Sequence, residues 1–176
     1  MSAKTLLKSL LVYQAWANDE LVEKLASLDR SSNAEAHHAA IRLMNHIHVV
    51  SRIFAAHLTG VTHGYASDNT EETPAPAALR TAMAEADRWY LDYLETVSEQ
   101  ALAEPVAFTF TDGDQGCMTR EEMLTHVVLH GGYHRGEIGR LLAAIAVSLP
   151  WDTYAVHLHR TQPARRLTDA RAAAQA

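Results

Sequence analysis

The chain has 176 residues, a net charge of -6, and 11 histidines against a single cysteine. This length fits one domain, which would bury roughly 70% of the surface of its unfolded chain. Cys117 stands alone, so an internal disulfide is excluded. The acidic balance argues against a nucleic-acid-binding protein, because such proteins usually present a basic face. A transition metal held by this chain would take its ligands mainly from imidazole nitrogens.

Targeting signals are not evident in the sequence. The N-terminal residues lack the apolar core and the small-residue cleavage pattern of a secretory signal. The longest apolar run, Leu141 to Leu149, is interrupted by Ser148 and is shorter than the roughly 18 residues of a membrane span. We therefore expect a cytoplasmic protein with no membrane partner and no nucleic-acid partner.

Apolar residues recur at helical spacing through most of the chain. The pattern predicts four long helices: Ala3 to Leu28, Asn33 to Thr59, Ala75 to Gln100, and a last one from Thr119 to about Val147. Two of their starts have the form of a capping box, and a third has a cap followed by proline: Ser32 to Glu35, Thr119 to Glu122, and Thr73-Pro74. Four long helices predict an all-α protein with the architecture of a four-helix bundle.

The segment before the last long helix has a different pattern. Residues 106–111 alternate between apolar and polar and lead into the turn-rich residues 112–116, which predicts a short hairpin or an extended crossover. Residues 151–158 are expected to pack back on the bundle. We therefore expect a single domain over residues 1–160 and a flexible C-terminal tail over residues 161–176.

The histidines of the second and fourth helices carry the strongest functional signal. His130 and His134 lie one turn apart on one helical face, so both imidazoles can reach the same ion. His46 occupies an apolar, inward face of the second helix and is the candidate third ligand. His57 and His126 are left open as partners of a metal ligand or as substitute ligands. The spacing predicts a three-histidine site for a divalent transition metal, with Zn, Ni and Fe(II) all compatible.

Other kinds of metal site require sequence motifs that can be checked in this chain. The HExxH motif of zinc proteases is absent, which argues against a metalloprotease. A di-iron bundle needs an ExxH motif on each of two helices, whereas Glu35 and His38 form one such motif without a second copy. The histidines could also form a polar core without any ion. Glu137 is the one carboxylate near the predicted ion, and we assign it as the candidate catalytic residue, a general base. Its alternatives are a partner of a metal ligand or a plain buried polar residue.

The fourth helix also contains a row of glycines, which are costly in a helix interior. Gly132, Gly136 and Gly139 share a stripe that lets another helix approach closely. The helix that packs against this stripe belongs either to the same chain or to the second subunit of a homodimer.

Three segments together resemble the DinB family. They are Tyr13 to Asn18 in the first helix, Leu43 to Phe54 in the second, and His130 to Ile138 in the fourth. The resemblance covers nearly the whole chain to about Arg160. Ser51 stands where family members often have Asp, and Phe54 where they often have Trp.

The resemblance implies a bundle of the DinB/YfiT-like type, usually dimeric, with a metal site whose ligands fall on His46, His130 and His134. It also implies a function, because characterised members include transferases and isomerases that use a low-molecular-weight thiol. We therefore expect a metal-dependent enzyme acting on a small molecule, either a thiol-dependent S-transferase or a hydrolase. The alternative is a non-catalytic metal-binding or stress-response binding protein.

Overall fold

A computed structural model describes residues 2–29 and 33–167 of the chain. Within them lie the following helices and strands, in chain order: α1 (Ala3–Ala26), α2 (Ala34–Thr59), α3 (Pro76–Thr96), the short α4 (Glu99–Leu102), β1 (Pro105–Thr109), β2 (Gln115–Thr119), α5 (Arg120–Ala144), α6 (Tyr154–Thr161) and a 3-10 turn (Pro163–Arg165). The prediction of an all-α fold is confirmed. None of the helices in the described ranges is both long and apolar enough to span a membrane.

The four long helices surround one core. α1 packs against α3 and α5, and α2 packs against the same two helices, so the α1–α3 contact lies across the bundle from the α2–α5 contact. Apolar side chains fill the interior at both ends, among them Leu11, Tyr90 and Leu124 at one end and Leu25, Met44 and Ile138 at the other. Burial of these side chains is the main source of stability.

The predicted hairpin is present. β1 and β2 pair antiparallel with Phe108 opposite Gly116, and the ring of Phe108 is buried in the core. β2 leads directly into α5, whose first turn has the predicted capping box. Thr119 Oγ1 accepts from the Glu122 backbone N–H at 3.2 Å, and Glu122 Oε2 accepts from the Thr119 backbone N–H at 2.7 Å. The hairpin thus fixes where the helix with two of the predicted ligands begins.

The third predicted helix differs from the observed one at both ends. It begins at Pro76 rather than one residue earlier, with Ala75 as its cap, so the second proline rather than Pro74 occupies the first helical position. It ends at Thr96, because Ser98 caps a separate short helix through the Ala101 backbone N–H at 3.1 Å. The predicted cap residue Ser32 lies outside the described residues, and Asn33 precedes α2 without a side-chain cap.

The C-terminal segment packs back on α1 and α5, as predicted. Tyr154 and Ser9 share a hydrogen bond of 2.8 Å between their hydroxyls, and the His157 ring lies 5.1 Å from Trp16. Asp152 forms an ion pair with Arg135 on α5 at 3.3 Å. Trp151, by contrast, is 82% exposed. Of the predicted tail, residues 161–167 complete α6 and form the 3-10 turn, and residues 168–176 lie outside the described part.

Candidate metal centre

Three histidines from two helices meet where α2 contacts α5. His46 Nε2 lies 3.0 Å from His130 Nε2 and 3.1 Å from His134 Nε2. All three residues offer ligand atoms within 4.8 Å of one another, and they form the one such group of three or more found among the described residues. The structure therefore brings together the three residues predicted as ligands.

The cluster lies at the edge of the bundle rather than deep in its core. The His46 and His134 side chains each retain 16% exposure. A small molecule can therefore reach the site from solvent, which a site enclosed in the apolar interior would not allow.

In His46 and His134, the hydrogen bond made by Nδ1 orients the ring and so determines where Nε2 points. His46 Nδ1 donates to the Asp68 backbone carbonyl at 2.8 Å, and His134 Nδ1 donates to Glu137 Oε2 at 2.5 Å. Neither a carbonyl nor an ionised carboxylate can donate, so both Nδ1 atoms carry the proton. In the neutral rings, Nε2 of His46 and of His134 then present lone pairs to each other.

This arrangement fits a cation. Two lone pairs facing each other at 3.1 Å repel, whereas a shared positive ion would attract both. Ligand nitrogens in a tetrahedral site with metal–nitrogen bonds of about 2.0 Å lie roughly 3.3 Å apart, close to the two distances that separate His46 Nε2 from the other rings. Hydrogen bonding of the outer nitrogen to a carbonyl or carboxylate is also the usual arrangement of metal-binding histidines.

The loop after α2 holds the partner of His46 in place. Asn45 Nδ2 donates to Thr70 Oγ1 at 2.6 Å, and Asn69 Nδ2 donates to the Arg42 carbonyl at 3.0 Å. These contacts fasten residues 68–70 to α2 and so place the Asp68 carbonyl at the His46 ring. Sequence analysis did not identify Asp68, since a backbone carbonyl has no residue-type signature and the segment reads only as polar and turn-rich.

The protonation state of the third histidine also suits a ligand. Burial and, to a lesser extent, the neighbouring His134 and His46 rings together lower the pKa of His130 to about 3. The ring is therefore neutral at physiological pH. A neutral imidazole has the free lone pair that coordination requires.

Glu137 contacts a predicted ligand rather than standing apart as a free base. Its side chain is 41% exposed, and one carboxylate oxygen accepts from His134. This contact gives Glu137 a role in orienting the His134 ring. Its assignment as a general base stays a prediction.

The two histidines left open by sequence analysis lie outside the cluster. The His126 ring centroid lies 5.4 Å from that of His130, and His126 packs on Phe54 at 4.5 Å. His57 packs on Phe108 at 4.9 Å and neighbours His63 at 5.5 Å. Together these rings form an aromatic cluster next to His130, in which Phe54 and Phe108 are buried.

The two departures from the family pattern have different surroundings. Ser51 is buried and donates to the Ile47 carbonyl of its own helix at 2.8 Å, with no contact to the three histidines among the described residues. Phe54 belongs to the aromatic cluster beside His130 through its contact with His126. Only the second departure bears on the shape of the site.

Arg135, next to His134 in the sequence, makes hydrogen bonds and an ion pair inside the protein. Its buried guanidinium donates to Asn18 Oδ1 at 2.9 Å and to the Tyr13 hydroxyl at 3.2 Å, and it pairs with Asp152. Arg135 therefore links α1, α5 and the segment after α5, with Tyr13, Asn18 and Asp152 as its partners.

The glycines of α5 differ in their surroundings. A Cβ at Gly139 would lie 2.8 Å from Leu149, so this glycine allows close packing within the chain. A Cβ at Gly136 would meet nothing within 4 Å. Packing inside the chain therefore accounts for the first glycine and not for the second.

Comparison with known proteins agrees with the resemblance seen in the sequence. A sequence model described as the DinB family matches residues 1–166. A comparison of the sequence with curated proteins found no match. The match spans every helix described above and all three histidines of the cluster, and with it we conclude that this chain belongs to the DinB family.

Proposed function

We propose that the three-histidine cluster binds a divalent transition metal and that the protein is a metal-dependent enzyme, a thiol-dependent S-transferase or a hydrolase. The meeting of three imidazole rings carries the metal assignment, with His46 Nε2 lying 3.0 Å from His130 Nε2 and 3.1 Å from His134 Nε2. The Nε2 lone pairs of His46 and His134 are held toward each other. Zn, Ni and Fe(II) all suit three imidazoles.

The catalytic part of the proposal rests on the incomplete ligand set. Three protein ligands with room for a further molecule are typical of catalytic rather than structural sites. An ion held there would act as a Lewis acid that lowers the pKa of a water or thiol toward neutrality. His46, His130 and His134 would hold it, and the exposed edge of the cluster gives a substrate access.

The cysteine of the chain is not placed to supply a thiol at the proposed metal site. Cys117 is exposed in β2 and is not part of the histidine cluster. A thiol reaction at this site would therefore use a low-molecular-weight thiol from solution. The partly exposed His126 ring, which belongs to the aromatic cluster beside His130, would offer a contact for the acceptor.

A screen of the metal-loaded protein tests this function. Low-molecular-weight thiols are combined with electrophilic acceptors, and simple esters are supplied separately to detect hydrolysis. We expect turnover by the wild type and none by a variant with His130→Ala and His134→Ala. An absence of turnover with every thiol and ester would favour the alternative, a non-catalytic metal-binding protein.

Glu137→Gln is expected to weaken metal binding by about 10- to 100-fold, because glutamine replaces the anionic acceptor of the His134 N–H with a neutral one. Competition with a chromophoric chelator measures this affinity. Glu121→Gln, on the same helix but away from the cluster, should leave it unchanged. If Glu137→Gln lost turnover at saturating metal with unaltered affinity, Glu137 would be a base and not a positioning residue.

We further propose that the protein is a homodimer formed through the outer face of α5. Leu129 and Tyr133 are large hydrophobic residues that are 67% and 68% exposed there. A Cβ added at Gly136 would meet no atom within 4 Å among the described residues. Exposed apolar side chains beside a helix with room for close approach are typical of a subunit interface.

Leu129→Asp is expected to convert the dimer to a monomer, because a charge would be buried in the interface. The exposed position makes the change mild for a single chain. Light scattering should give twice 19.4 kDa for the wild type and 19.4 kDa for the variant. Val61→Asp, at an exposed loop position, serves as the control and should remain dimeric. A wild-type mass of a single chain would contradict the proposal.

A further inference from the structure

A second candidate site lies across the bundle from the histidines, in the groove between α1 and α3. It is a cavity of about 230 Å³, equal to roughly seven or eight water molecules at about 30 Å³ each. Its walls are mainly aliphatic, with Val22, Met83 and Leu91 among the lining residues. Asn18 and Asp87 supply polar groups, and both are buried.

The Asp87 carboxylate has few partners for a buried charge. Asn18 Nδ2 lies 3.1 Å from one carboxylate oxygen and 3.3 Å from the other. The Gln14 amide is a second neighbour that favours the charged form of Asp87. A carboxylate can accept about four hydrogen bonds, so these two amides leave acceptor capacity unused. No lysine, arginine or histidine of the described residues lies within ion-pairing distance of Asp87. An ionised carboxylate buried in this way is costly unless a cation joins it.

The nearest buried cation is already engaged. Arg135 directs its guanidinium to Asn18 Oδ1, Tyr13 and Asp152, and not to Asp87. Asn18 thus stands between the two charges, with its carbonyl toward Arg135 and its NH2 toward Asp87. Because Asp152 pairs with Arg135, Asp87 is the carboxylate of this network that has no ion pair among the described residues, and the Arg135 charge acts on it only from a distance.

The rim of the cavity does not repel a cation. Arg80, which lines it, forms a two-point ion pair with Asp19 at 2.6 and 3.0 Å and also contacts Glu23 at 3.1 Å. Its charge is therefore matched by two carboxylates. Arg88 at the rim is exposed to solvent.

From these features we infer that the α1–α3 cavity is a binding site for a small primary alkylammonium ion, with its NH3+ group on the Asp87 carboxylate and its alkyl chain against Val22, Met83 and Leu91. An ammonium group supplies three donors and a positive charge. An alkyl chain of four to six carbons fills the aliphatic part of the cavity, at about one water-sized volume per carbon. This site is independent of the metal centre and of the proposed reaction.

Chemical-shift titration of the full chain with n-butylammonium at pH 8 tests the inference. The amide signals of the cavity residues should shift saturably, and 1-butanol, of the same shape but uncharged, should bind about tenfold or more weakly. Butyrate should not bind. Asp87→Asn should weaken butylammonium binding by about tenfold or more, whereas Asp92→Asn, at an exposed position on the same helix, should leave it unchanged.

A second variant tests the cavity itself while leaving the Asp87 side chain in place. Ala84→Phe fills the cavity from its partly open side without altering the carboxylate, and it should also abolish binding. The inference is overturned if neither butyl- nor hexylammonium gives saturable shifts. It is equally overturned if Asp87→Asn binds as tightly as the wild type, or if butanol or butyrate binds as well as the amine.

Discussion

A variant with both His130→Ala and His134→Ala is expected to purify almost free of transition metal, whereas the wild type retains about one ion per chain. Two of the three converging nitrogens are lost, and His46 alone cannot hold an ion against dialysis. Since a complete set of protein ligands contributes on the order of 10 kcal/mol or more to binding, removing two ligands should lower affinity by more than about a thousandfold. Elemental analysis of untagged protein measures the metal content directly.

The matched control for this experiment is a variant with His57→Ala and His126→Ala. Both residues lie near the cluster and outside it, so the metal content should remain that of the wild type. Alanine is the best helix former, and circular dichroism should show both variants as helical as the parent. Full metal content in the His130/His134 variant, or metal lost from the control instead, would disprove the assignment of the ligands.

The second large effect is expected at Asp87, where Asp87→Asn should stabilise the protein at pH 8 by roughly 1–3 kcal/mol. Burial raises the pKa of this carboxyl to about 6, although the hydrogen bond from Asn18 opposes the shift. In the unfolded chain its pKa is about 3.9. The folded protein therefore binds this proton more tightly than the unfolded chain does.

The sign of the pH dependence follows from this difference. Above about pH 6 the carboxylate is ionised in both states, and its burial opposes folding in full. Between about pH 6 and pH 4 the folded state takes up the proton first, so the cost falls and disappears near the lower value. The stability gained by Asp87→Asn should therefore be largest at pH 8 and vanish near pH 4. Gln14 Oε1, which has no hydrogen-bond partner among the described residues, can accept from the new amide.

Urea unfolding of the wild type and Asp87→Asn across this pH range measures the effect. Taking the difference between the two proteins cancels the titration of the histidines, which is common to both. Asp92→Asn, at an exposed position of α3, should change stability by less than about 0.5 kcal/mol at every pH. A loss of stability in Asp87→Asn at pH 8 would show instead that the charged carboxylate is favourably paired.

Much of the fold was predictable because helical periodicity and end signals act over a few residues. The capping box at Thr119 and the left-handed Gly60 at the end of α2 set boundaries through contacts within one turn. The ends of α3 were less predictable. Two prolines competed for its first position, and the run of helix-forming residues past Thr96 conceals the cap at Ser98.

The histidine cluster was predictable for a related reason. A spacing of four residues puts His130 and His134 on one face of α5 wherever that helix packs. The apolar neighbours of His46 indicate that its face is turned toward another element. These two local facts, together with the resemblance to the DinB family, were sufficient to select three of 11 histidines.

The features that depend on contacts between distant segments emerged only from the folded chain. The Asp68 carbonyl reaches His46 across a loop, and Asp87, Asn18 and Arg135 meet from three helices. Periodicity specifies which side of a helix is apolar, but not which helix lies opposite or at what height. That choice depends on how all four helices pack together, which decided that the metal centre lies between α2 and α5 and that a buried carboxylate lines a cavity on the far side.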